Sequence, residues 1–139
     1  MSTPVAAPEY LLLFRGTNWD KGLSPEEMQQ VMGQFMGWFE QLRQEGTLKA
    51  GQPLAREGKV VSGAKGSAVA DGPFTESKEA VGGYFLLQVA SLDEAVAIAK
   101  QCPILKFGST VEVRPVASQC PIQETIDTQL AGAALSTRI

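Results

Sequence analysis

The eight residues Asp71-Gly72-Pro73-Phe74-Thr75-Glu76-Ser77-Lys78 constrain this chain most, because they force a corner between two apolar segments. Gly72 can adopt a backbone conformation closed to other residues. Pro73 fixes its own φ and removes a donor, and the Asp71 carboxylate can accept from amides just beyond the turn. Thr75 is placed to cap a short turn, which would hold Glu76, Lys78 and Glu79 near Asp71. The segment after the corner, Gly82 to Val89, is apolar on both alternating faces and reads as a central strand.

The other elements can be placed around that strand. Tyr10 to Arg15 is a short apolar run of strand length, with Leu11, Leu13 and Arg15 on one face and Tyr10, Leu12 and Phe14 on the other. Ser24-Pro25-Glu26-Glu27 combines an N-cap, a proline at the first helical position and a capping-box glutamate, so a long helix starts there and stops at Gly46. Met28, Val31, Met32, Phe35, Trp38, Phe39 and Leu42 recur at helical spacing, and the stripe reads as core rather than as an adaptable binding surface. Gly33 and Gly37 would permit a close backbone approach. Thr47 to Ala70 is Gly-punctuated, with short strands expected at 48–54, 59–61 and 67–70. Ser91-Leu92-Asp93-Glu94 starts a second helix with Leu92, Ala95, Val96 and Ala99 as its buried stripe, and Thr110 to Pro115 is the last strand.

The order predicts an α+β, ferredoxin-like sandwich with an antiparallel sheet and both helices on one face. Residues 1–9 form a leader, 10–116 the domain, and 117–139 a helical extension with apolar spacing at Ile122, Ile126 and Leu130. On the face away from the helices the reading gathers Arg15, Tyr84, Gln88, Glu112 and Arg114 with Leu11, Leu13 and Leu86. Such a face is too apolar for water and too polar for an ordinary core. A second copy covering it, with a polar cavity between, satisfies both properties.

Composition narrows the function. The net charge of −3 offers no basic face for a nucleic acid. The first nine residues lack the basic start and apolar core of a signal peptide, and no stretch approaches a membrane span, so the expectation is a cytoplasmic protein. Cys102 and Cys120 are too few for a disulfide framework and are expected as free thiols. The chain contains no histidine. A His-based nucleophile relay and the commonest zinc sets therefore cannot be built within it, and no cofactor or metal is expected.

With the Asp71 corner set before Gly82-Gly83-Tyr84, the chain resembles the YCII-related family, in its branch marked by the Asp-Gly-Pro-Phe motif. The resemblance runs from Tyr10 to Val116. It includes Leu23 to Glu27, Thr75, Glu76 and Lys78, Asp93-Glu94-Ala95, and the closing Val111-Glu112-Val113-Arg114-Pro115. It implies a dimeric α+β barrel and, through gene neighbourhood in this branch, regulation linked to a sigma factor. Some relatives use a His and Asp pair, which this chain cannot supply even if Asp71 matches the acid.

Two functions stay open. One is a homodimeric module that binds a small molecule between the sheet faces, or a regulatory partner, without chemistry. The other is an enzyme in which Asp71, perturbed by burial, acts as general acid or base. Arg15, Lys78 and Arg114 would then hold an anion, with Tyr84 and Gln88 as polar contacts. Against the second stands the plainer reading that Asp71 caps a turn and Lys78 pairs with a nearby carboxylate.

Overall fold

Burial alternates along the first strand, β1 (Glu9–Arg15), where Tyr10, Leu12 and Phe14 are buried and the residues between them are half-exposed. The structure is a computed structural model that describes residues 7–73 and 79–136. After β1 come α1 (Pro25–Gln44), β2 (Leu48–Pro53), β3 (Lys59–Ser62), β4 (Ala68–Asp71), β5 (Val81–Gln88), α2 (Leu92–Ala99), β6 (Thr110–Pro115) and α3 (Pro121–Ser136). Four strands form one antiparallel sheet in the order β2-β5-β1-β6, and β3 with β4 forms a separate two-stranded hairpin. With β3 and β4 set aside as an insertion, this is the ferredoxin-like order that the sequence predicts.

The register fixes the two faces. Leu12 lies opposite Phe85 on β5 and Val113 on β6, and these three pack with Phe14, Leu87 and Val89 on the core side. Leu13 lies opposite Tyr84 and Glu112, and Leu11 opposite Leu86 and Arg114, on the open side. The period-2 alternation of a strand turns the sequence directly into this division.

Both helix starts form as their sequences direct. Ser24 Oγ accepts from the Glu27 amide at 3.2 Å while the Ser24 amide donates to Glu27 Oε1 at 3.2 Å, a complete capping box. Ser91 Oγ accepts from the Glu94 amide at 3.2 Å, but the Glu94 carboxylate accepts from the Ala90 amide instead. Trp38 Nε1 on α1 donates to Gln101 Oε1, just beyond the end of α2, at 3.1 Å.

Several expectations about the elements and their packing change. On α1 only Val31, Trp38 and Leu42 are buried, while Met32 and Met36 are exposed, so the stripe is core on one flank only. Gly33 and Gly37 face open space rather than a neighbouring backbone. Leu92 is exposed, and the buried residues of α2 are the small Ala95 and Ala99. The strand expected at 67–70 is β4, which runs to Asp71, so Asp71 ends a strand before the turn begins. Within α3, Ile122, Ile126 and Leu130 are all exposed.

Candidate functional site

The edge strand β2 has the sequence Leu-Lys-Ala-Gly-Gln-Pro, and its only large apolar side chain is Leu48. Toward α1 it presents Gly51, over which the Phe85 and Phe39 rings close. A Cβ there would lie 2.9 Å from Phe85 Cδ1 and 3.3 Å from Phe39 Cε2. Gly83 on β5 is equally restricted, since a Cβ would meet the Gln52 carbonyl oxygen at 2.9 Å. Beside this close-packed edge, α1 and the sheet enclose a cavity of about 610 Å³.

The cavity wall is largely aromatic. Phe85 is the hub, with Phe14 at 4.8 Å between ring centroids and Phe35 and Phe39 each at 5.6 Å, all in edge-to-face contact. Met32 and Met36, 44% and 51% exposed, flank the mouth on α1, and Leu54 and Trp19 line it from the loops. Those loops are fixed at their roots: the Gly16 amide donates to the Ala80 carbonyl at 3.0 Å, and Ser109 Oγ donates to the Gly16 carbonyl at 3.0 Å. Polar lining comes from Thr17, Gln52 and Arg56. Arg56 Nη2 reaches Asp20 Oδ2 at 3.5 Å, with its own side chain 71% exposed.

The open face carries most of the residues that the sequence singled out. Arg15 donates through Nε and Nη2 to Glu112 Oε2, at 2.9 and 2.6 Å, and through Nη1 to the Glu79 carbonyl at 2.8 Å. Tyr84 and Gln88 are half-buried on the same face, Gln88 Nε2 donates to the Ala7 carbonyl at 3.1 Å, and Arg114 is exposed opposite Leu11. Arg15, Tyr84, Gln88 and Arg114 thus share a surface spread along the strands.

Asp71 stands apart from them. It belongs to the β3–β4 hairpin, where it lies opposite Lys59 and forms an ion pair with it, and its side chain is 82% exposed. In the single chain the hairpin projects Asp71 toward solvent. Lys78 and Phe74 to Ser77 lie outside the described residues. Of the two thiols, Cys120 is exposed and Cys102 buried. Burial pushes the Cys102 thiol above the usual range, against backbone hydrogen bonds at Ile104 and Leu105 that pull it down.

The aromatic cavity is what the sequence reading missed. Its signal was present in the Met32, Phe35 and Phe39 spacing, read as core, while Met36 stood outside that stripe. The cavity lies on the helix side of the sheet, opposite the face that the sequence reading favoured.

Residues 10–118 match the pattern of the YCII-related domain, which covers nearly all of the four-stranded sheet with α1 and α2. The chain belongs to the YCII-related family. Among solved structures, this YCII-related protein is similar to 5-chloro-2-hydroxyhydroquinone dehydrochlorinase (TftG) from Burkholderia phenoliruptrix AC1100, in complex with 2,5-dihydroxybenzoquinone. The identity is 16%, covering 80% of this chain and 95% of that chain, at a TM-score of 0.41. No curated protein matches the chain. Among the described residues no helix is long and apolar enough to cross a membrane, and no three His, Cys, Asp or Glu side chains cluster as metal ligands would.

Proposed function

We propose that this YCII-related protein, of the branch marked by Asp71-Gly72-Pro73-Phe74, is a small-molecule-binding module whose ligand occupies the cavity between α1 and the β2–β5 edge of the sheet. The observation that carries this is the cavity itself. A volume of about 610 Å³ lies within the range of ligand sites, and its wall is apolar with a few polar groups at the rim. Met32 and Met36 at the mouth give that wall adaptable, polarizable surface. We also propose that two copies meet through the open face of Leu11, Leu13, Tyr84 and Leu86, which leaves the cavity on the outer, helix side of each subunit. Asp71, exposed and paired with Lys59, gives little support to an acid–base enzyme.

Calorimetric titration with 2-naphthamide, a neutral bicyclic probe, tests the pocket. Binding to the wild type, weakened at least tenfold by Met36→Glu without a large change in melting temperature, is the expected result. Absence of binding, or affinity indifferent to Met36→Glu, would overturn this reading.

A further inference from the structure

We infer that the pocket selects a monoanionic aromatic acid, with its carboxylate on Arg56 and its ring against the Phe35, Phe39 and Phe85 wall. This rests on the pocket reading above and adds the chemical class of the ligand. Arg56 is the charged side chain among the described cavity-lining residues. Its contact with Asp20 is at 3.5 Å, the outer limit of a hydrogen bond, and goes through one terminal nitrogen only. A guanidinium presents five donors in a planar fork, so the donors not aimed at Asp20 suit a carboxylate approaching from the cavity.

The same count decides against other ligands. A phosphate dianion would place two negative charges against one arginine, whereas the other polar lining groups, Thr17 and Gln52, are neutral. A cation would meet the Arg56 charge, and the rings that could bind it by their faces are engaged edge-to-face with one another. A neutral hydrocarbon would bury its ring but leave Arg56 on Asp20. One acidic group on an aromatic body is the chemistry that uses every part of the wall.

The test compares 2-naphthoate with 2-naphthamide, which share a ring system and differ in charge, by calorimetry on the full chain at neutral pH and low salt. The expected result is naphthoate binding about fivefold tighter, the scale of a charged hydrogen bond at a partly exposed site. That preference should disappear in Arg56→Gln and grow in Asp20→Ala, which frees Arg56 from its partner. Added salt should erode it. Equal affinity for the two probes, both lost in Met36→Glu, would overturn the acid preference and leave the pocket reading intact. Naphthoate affinity unchanged in Arg56→Gln would also overturn it. Failure of both probes to bind would remove the pocket reading and this inference together.

Discussion

Arg15 and Glu112 are joined across the β1–β6 pair by two hydrogen bonds to one carboxylate oxygen, and the third arm of the guanidinium holds the Glu79 carbonyl. The contact ties three chain segments that are remote in sequence. Its side chains are 29% and 35% exposed, so solvent screens the charges only in part. Arg15→Gln should therefore destabilise by about 1–2 kcal/mol and Glu112→Gln by about half as much, because only the arginine change also abandons Glu79. Urea denaturation of both variants and of the double variant checks this. Equal costs would mean that the Glu79 contact contributes nothing.

Glycines on opposite sides of the core should respond with opposite sign. Gly83→Ala drives a Cβ to 2.9 Å from the Gln52 carbonyl oxygen and 3.3 Å from Pro53 Cα, both backbone atoms that cannot turn aside. It should cost about 1–3 kcal/mol and loosen β2 from β5, which hydrogen exchange at Gln52 and Leu54 would register. Gly33→Ala and Gly37→Ala meet no atom within 4 Å on the exposed side of α1. Each should stabilise by about 0.5–1 kcal/mol through helix propensity.

The contrast between these glycines shows what the sequence could convey. Strand alternation at Tyr10 to Arg15 and the Ser24 and Ser91 caps are local signals, and local physics determined their outcome. The cavity is not local. It lies where Gly51 on one strand comes against Phe39 on a helix, a juxtaposition that periodicity along either element cannot express. Periodicity grouped Met32, Phe35 and Phe39 on one stripe of α1 but could not say which part of the sheet would lie opposite them. The exposure of Asp71 in the single chain was hidden for the same reason: turn chemistry speaks for the corner, while solvent exposure depends on the hairpin that sets it opposite Lys59.

The buried Cys102 thiol gives a pH signature. Burial raises its pKa, so as pH climbs past the ordinary thiol value, roughly 8.5, the unfolded chain loses this proton while the folded chain keeps it. The unfolded state then binds fewer protons and stability falls with pH. The contribution is complete below the unfolded pKa and is lost toward the folded one. Cys102→Ala should make the alkaline decline shallower by up to about 1.4 kcal/mol per pH unit just above that range, measured as the difference between urea melts of the two proteins. At neutral pH a thiol reagent should label exposed Cys120 and spare Cys102 until the protein unfolds. Parallel alkaline declines in the wild type and Cys102→Ala would contradict the role assigned to burial.

The open face supports a prediction about assembly. Leu11 sits beside Leu86, and Leu13 beside Tyr84, so half-exposed apolar side chains from the two central strands form one continuous patch. Glu112 and Arg15 neutralise each other at one end of it, which lowers the cost of removing that end from water. A second copy related by a two-fold axis would present the same patch in return and bury both. Sedimentation equilibrium at micromolar concentration should then give twice the 14.8 kDa chain mass. Leu86→Glu, placed at the middle of β5 with its side chain on that face, should yield a folded monomer, since an unpaired carboxylate would have to be buried twice at the interface. Met36→Glu on the helix side should leave the dimer intact. A wild-type monomer would overturn the prediction, whereas a dimer indifferent to Leu86→Glu would place the contact elsewhere, with the exposed Ile122, Ile126 and Leu130 stripe of α3 the surface to substitute next.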